Sequence, residues 1–351
     1  MKEERKVFTD QDAFAVFSIP RSLDHTIVWS DEGFVRHDEN DIPSFVVQSF
    51  QNYDFQPTKI PADHVAHNLE FSFVQNKRCP EESTEEQEYL LCARETIEAI
   101  RRNDFAKVVI SKVKRVSRGR KTIFEIFEEL KQKHANTFVF LYHIPDRGLW
   151  CGATPEVLLR DKRTTLHTMA LAGTIPDMGI PLPDVKWREK ESHEQHVIET
   201  FIEGKLEDEG LPYSKRGPRT VRAGSMLHLC TDYFLKDNQN ALKIAALLHP
   251  GPAICGLPQS LAQEWIGTYE EHDRQDYCGY IGPWKIPRRN NNAEVYSALF
   301  INLRSMTIWK DAFLLYLGGG LTAMSEARAE WDETELKAST MMSVIVEKAP
   351  V

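Results

Sequence analysis

Five consecutive segments decide the fold: KVVISKVKRV (107–116), IFEIFEELKQKH (123–134), TFVFLYH (137–143), LWCGAT (149–154) and TTLHTMALAG (164–173). Four of them are short, rich in β-branched or aromatic residues, and read as strands. The second repeats its apolar residues at helical spacing and reads as one amphipathic helix. The text upstream, Ser83-Thr84-Glu85 followed by EEQEYLLCARETIEAIRRND, predicts a helix ending near Asn103. Downstream we expect a long helix over 184–209, strands around Thr220, and helices near 240–248 and 258–270. Strands are then expected at EVYSALFINLRS (294–305) and AFLLYL (312–317), with Gly318-Gly319-Gly320 as a turn before a helix running to about Val346. The strands exceed what a helical bundle needs, and their order is no regular βαβ alternation. A layered α+β fold follows. Residues 1–80 are mixed in pattern and carry no assignable chemistry.

The chain has 351 residues, 42% hydrophobic and 27% charged, which excludes a disordered tail, a collagen-like repeat or a minimal disulfide scaffold. Its formal charge of −9 argues against nucleic acid as a partner, so an anionic ligand needs a few positive groups concentrated locally. The six cysteines (Cys79, Cys92, Cys151, Cys230, Cys255, Cys278) form no C-x-x-C pair. MKEERKVFTDQD has no apolar leader core, and no apolar stretch approaches the ~18 residues of a membrane span. The expectation is a reduced, cytoplasmic protein with no membrane partner.

The most informative feature is a pair of E-x-x-E motifs, one on each of two expected helices, lying in register with an apolar stripe. Glu191 and Glu194 precede Ile198, Phe201 and Ile202; Glu330 and Glu333 precede Lys337, Met341 and Val344. Residues three or four apart share a helix face, so each pair lies on the stripe that should face the core. One such pair is ordinarily a solvated helix start. Two, each in register with an apolar stripe, imply inward carboxylates, which need a cation because burying them unpaired is costly. Oxygen ligands without Cys or His at matching spacing favour Mg²⁺, which prefers to share its shell with a substrate's oxygens. An anionic substrate bridging the two helices is therefore expected.

Other positions carry a chemical reading beside a plain one. Lys107 is a strand lysine, ordinarily a solvated edge residue. Glu156, after Gly152-Ala153-Thr154-Pro155, reads alone as a turn residue at a strand start. Arg304 is an anion clamp or a snorkelling strand end. The three glycines and Gly173-Thr174 allow close approach of backbone to a ligand, but the glycines fit neither G-x-G-x-x-G nor a P-loop. His228, in MLHLCTD, is the histidine best placed to face a pocket, and by itself reads as a core histidine bonded to a carbonyl.

In order, the segments KVVIS, GATPEVLLR, LAGT, KESHEQHVIE, HL-C-T, HPGPAICGLP, R-x-x-Y-x-G-x-x-G, INLRS, LYLGGGL and EWDETELK span Lys107 to about Val346. Together they resemble the chorismate-utilising enzymes: isochorismate synthase, salicylate synthase, and component I of anthranilate and aminodeoxychorismate synthases. The resemblance implies one large α+β domain of antiparallel sheets flanked by helices, with 96–348 as the core and 1–95 as a divergent part of the same fold. It is strongest to isochorismate synthase, because Lys107 stands where that branch carries a water-activating lysine. LAGT in place of an IKGT-type sequence argues against aminodeoxychorismate synthase.

By that resemblance Lys107 is the base and Glu156 the general acid. Glu194 and Glu333 are the principal Mg²⁺ ligands, with Glu191 and Glu330 beside them. Gly173, Thr174, His228, Arg304, Gly319, Gly320 and Lys337 line the substrate, chorismate. The base must act without its proton, which burial away from acidic groups favours. Arg304 and glycine-turn amides are expected to take the enolpyruvyl carboxylate. The resemblance further implies a monomer whose product enters menaquinone or siderophore synthesis. Salicylate synthase shares Lys107, Glu156 and the metal carboxylates, so spacing does not separate the two. A non-catalytic anion- or metal-binding protein on the same scaffold is opposed by the intact acid, base and carboxylates. The chain departs from the family pattern at Gln195, where many relatives have histidine, at Ala170 in place of proline, and in HPGPAICG.

Overall fold

The computed structural model describes residues 5–35, 42–51, 57–162, 164–223, 226–236, 241–289 and 291–346. Its helices are α1 (Glu86–Arg101), α2 (Ile123–Lys133), α3 (Glu189–Asp208), α4 (Ala241–Leu248), α5 (Gln259–Tyr269) and α6 (Ala327–Ile345). Two large antiparallel sheets make up most of the rest. The first runs Gly256–Leu257, Lys107–Ser117, Ala312–Leu321, Ser305–Ile308, Gly148–Thr154, Phe138–Ile144, Phe14–Ser18, Thr26–Trp29, His64–His67. The second runs Tyr213–Ala223, Met226–Lys236, Thr165–Pro176, Val157–Asp161, Asn291–Ile301, Tyr280–Trp284, Ser44–Gln48, Thr58–Pro61, with Ile286–Arg288 also on Asn291–Ile301. A short parallel pair, Lys6–Phe8 with Phe71–Phe73, stands apart. The fold is α+β, one large domain of antiparallel sheets flanked by helices. Both sheets end on strands from the first 80 residues, the stretch that carries no chemistry in the sequence.

Strand alternation divides the core in two. Ala15, Phe17, Phe138, Phe140 and Tyr142 point from the first sheet into the main core shared with the second. Phe138 and Phe300, one from each sheet, stack there with ring centroids 4.1 Å apart. Phe14, Val16, Val139 and Leu141 point the other way, into a second core closed by α2 and α6. α2 begins where its sequence says: the Thr122 side chain caps the Glu125 amide and Glu125 reaches back, a reciprocal capping box.

Four boundaries differ from expectation. α1 starts at Glu86, one residue past a box formed by Glu85 and Glu88, and not at Ser83. α3 starts at Glu189, not at 184, because Pro181 and Pro183 hold 182–184 in a single 3₁₀ turn and the chain is extended at the cap, Arg188. Gly318, Gly319 and Gly320 make no turn; they lie inside Ala312–Leu321, paired with Ser111, Ile110 and Val109. Arg304 lies beyond the end of its strand at Ile301, with φ +50° in the connection to Ser305–Ile308.

Candidate active site

One cavity is lined from both sheets and from two helices. Lys107, Gly318 and Gly320 come from the first sheet. Glu156, Gly173, Thr174, His228 and Arg304 come from strands and turns of the second. Glu194 comes from α3, and Glu333 and Lys337 from α6. Ten of the thirteen residues singled out in the sequence thus meet in one place.

Lys107, 3% exposed, opens its strand. Its side chain crosses Gly320, where a Cβ would stand 2.6 Å from Lys107 Cε. Close passage of that lysine requires glycine there. Lys107 Nζ is 3.9 Å from Glu194 Oε1, so the base candidate is not remote from acidic groups as expected. Glu156, half-buried behind Pro155, has its carboxyl pushed up to about 7 by burial, against the opposing pull of Lys107 and Arg304. The Arg304 guanidinium has no hydrogen-bonding or ion-pair partner among the described residues, and burial lowers its pKa. An uncommitted half-buried guanidinium suits an anion.

His228 Nδ1 is 3.1 Å from the Gly173 carbonyl, which can only accept, so Nδ1 carries the hydrogen. Burial, then Arg304 and Lys337, bring the imidazole down to about 3, so it is neutral. Its Nε2 is buried without a partner and presents a lone pair. Gly173 takes φ +60° at a bulge, and a Cβ there would stand 3.0 Å from Glu191 Cβ, so α3 packs directly on this backbone. Lys337 Nζ lies 2.8 Å from Glu333 Oε1 and donates to the Gly318 carbonyl at 2.9 Å.

The four helix carboxylates turn inward: Glu191 is 2% and Glu330 1% exposed, and Glu194 and Glu333 line the cavity. Burial and the like charges of Glu333 and Glu330 raise Glu194, with Lys107 and Lys190 opposing. Burial would raise Glu333 too, but Lys337 and Lys190 outweigh it and hold it low. Glu191 and Glu330 sit behind the cavity wall and carry protein cations: Arg188 Nε donates to Glu191 at 3.1 Å and Lys190 Nζ to Glu330 at 2.7 Å. Among the described residues no three acidic, histidine or cysteine side chains converge on one point. The donor set nevertheless fits a hard cation: all-oxygen, buried, and already satisfied in part by an ammonium. Mg²⁺ completes its shell with water and substrate oxygens, so it needs only one or two carboxylates.

Gly319 does not line the cavity. Alternation turns it to the other face, where a Cβ would meet Glu330 Oε2 at 3.3 Å and the Tyr89 hydroxyl at 3.4 Å. Sequence reasoning passed over Tyr277 and Tyr316, whose rings stack 5.5 Å apart beside the cavity, and Lys190. Tyr277 is the tyrosine of R-x-x-Y-x-G-x-x-G; Lys190 is the residue before Glu191. At the departure Gln195, the amide lies within 3.3 Å of the Ala170 carbonyl, 3.2 Å of Thr231 Oγ1 and 3.0 Å of Glu199 Oε1.

The family profile for chorismate binding enzymes matches residues 43–346. The chain belongs to the chorismate-binding enzyme family. Within that family it is 25% identical over 311 residues to isochorismate synthase EntC of Escherichia coli strain K12, covering 86% of this chain and 76% of EntC. Its fold matches that of MenF, the menaquinone-specific isochorismate synthase of Escherichia coli, with a TM-score of 0.77, 18% identity, and coverage of 96% and 90%. It also matches anthranilate synthase component I from Streptococcus pneumoniae, with a TM-score of 0.65, 16% identity, and coverage of 92% and 81%. No described helix of this chorismate-binding enzyme is long and apolar enough to cross a membrane.

Proposed function

We propose that the protein is an isochorismate synthase, converting chorismate reversibly to isochorismate with Mg²⁺. The observation that carries this reading is the pairing of Lys107 with a glutamic acid, Glu156, whose carboxyl keeps its proton near neutral pH, in one cavity beside an uncommitted Arg304. Lys107 takes a proton from a water attacking ring carbon 2. The ring double bonds shift, the carbon–oxygen bond at carbon 4 breaks, and Glu156 protonates the departing hydroxyl, which leaves as water. One water enters and one leaves, so the reaction is an isomerisation and runs both ways.

Arg304 takes a substrate carboxylate by a charge-assisted contact. The neutral His228 offers Nε2 as an acceptor to a substrate hydroxyl. Gly173, Thr174 and Gly320 let the ring approach the backbone, and Lys337 holds Glu333 in place. Glu194 and Glu333, with Glu191 and Glu330 beside them, would hold Mg²⁺, which would supply positive charge to neutralise the substrate's ring carboxylate. The six free thiols are consistent with a reducing, cytoplasmic setting, and we propose a monomer. MenF is menaquinone-specific and a relative from Vibrio cholerae is vibriobactin-specific, which supports a product used in menaquinone or siderophore synthesis.

Incubating the protein with chorismate and MgCl₂, with and without EDTA, and separating the products by chromatography tests the assignment. Metal-dependent isochorismate is expected. Salicylate with pyruvate would make it a salicylate synthase, an ammonia-dependent aminated product would move it to the anthranilate branch, and no turnover would leave a binding protein.

A further inference from the structure

Lys190 takes no part in the proposed proton transfers or in holding the substrate. It stands in the first turn of α3, one residue before Glu191, yet its ammonium crosses to α6 and bonds Glu330 at 2.7 Å. Glu330 is 1% exposed and has no other cation within ion-pairing distance among the described residues. The same ammonium acts electrostatically on Glu194 and Glu333. Three of the four inward carboxylates therefore feel one tethered positive charge. Buried carboxylates without a counter-charge would cost several kcal/mol each, so the protein needs a cation here before any metal arrives. The Lys190 side chain retains 24% exposure, enough for its long stem to swing towards solvent.

We propose that Lys190 is a built-in counter-ion that competes with Mg²⁺: it closes α3 onto α6 when the metal is absent and is displaced from Glu330 when the metal binds. This rests on the reading of the four carboxylates as a Mg²⁺ site. Lys190 is a positioning residue with no contact to the reacting atoms. It sets metal affinity and the order of loading, since the cleft must give up an internal ion pair to accept the divalent ion.

The test is calorimetric titration of MgCl₂ into the full-length protein without substrate, with melting curves of the same samples. Lys190→Gln should bind Mg²⁺ roughly tenfold more tightly than the unmodified protein. Without metal it should melt lower, and saturating Mg²⁺ should narrow that gap. Lys190→Arg keeps the charge and adds a forked donor, so it should fold without metal and bind Mg²⁺ more weakly than the unmodified protein. Should Lys190→Gln fail to fold without metal, folding restored by Mg²⁺ supports the proposal and failure with metal overturns it. Equal or weaker Mg²⁺ binding by Lys190→Gln, or tighter binding by Lys190→Arg, also overturns it. No Mg²⁺ binding by any of the three overturns the metal-site reading itself.

Discussion

Glu156 combines a burial cost with a chemical use. Its carboxyl, raised from an ordinary 4.5 to about 7, keeps a proton where an exposed glutamate has lost it. Turnover in the forward direction should therefore decline as pH rises above about 7, and a kcat/KM profile locates that limb. The sign for stability follows from proton counts. Between 4.5 and 7 the folded glutamate binds more protons than the unfolded one, so stability falls as pH rises through that window and stays lower above it. Glu156→Gln removes this loss, so its Tm should exceed that of the unmodified protein at about pH 8 and match it at about pH 5. Its activity should drop by ~10²–10⁴-fold, as should that of Lys107→Ala, with circular dichroism unchanged. Near-normal kcat in either variant would contradict the acid and base roles. At this scale the sequence was informative where residue type limits chemistry: paired inward glutamates, a strand lysine and a lone histidine could all be named. The nearness of Glu194 to Lys107, the tautomer of His228 and the ammonium on Glu330 could not, because they depend on which element packs on which.

Elements decide how those groups meet, and glycine marks the close approaches. A methyl at Gly320 would press on the far end of the flexible Lys107 side chain, whereas at Gly279 it would stand 1.9 Å from the Gln48 carbonyl oxygen, which is backbone. Gly320→Ala should consequently keep its Tm and lose at least about tenfold in kcat, since a small misplacement of a catalytic group is expensive. Gly279→Ala should lower Tm sharply or prevent folding, because nothing nearby can yield. Equal effects on Tm from the two would refute this contrast. Helices and strands were legible from period and caps, as with α2, whose Thr122–Glu125 box is written in the text. The glycine run misled because three glycines after apolar residues look like a turn; the partner strand Lys107–Ser117, remote in sequence, keeps them extended.

Across the whole molecule, the first 80 residues supply outer strands to both sheets: Phe14–Ser18 covers Phe138–Ile144, and Ser44–Gln48 covers Tyr280–Trp284. A chain starting at residue 81 would expose two buried strand edges and should be insoluble or unfolded. A soluble, cooperatively melting truncation would show that the core stands alone. The resemblance implied that this stretch belongs to the same fold, but not which sheet each strand joins, because short strands of mixed pattern do not reveal their partners. Two sheets, α3 and α6 converge on one cavity, and the proposed chemistry turns on what happens to water there. Turnover of chorismate in oxygen-18-labelled water, followed by mass spectrometry of the product, addresses that directly. Isochorismate carrying one solvent oxygen at carbon 2 is expected, at a rate collapsed in Lys107→Ala. Isochorismate with no solvent oxygen, or labelling undiminished without Lys107, would contradict water activation by that lysine.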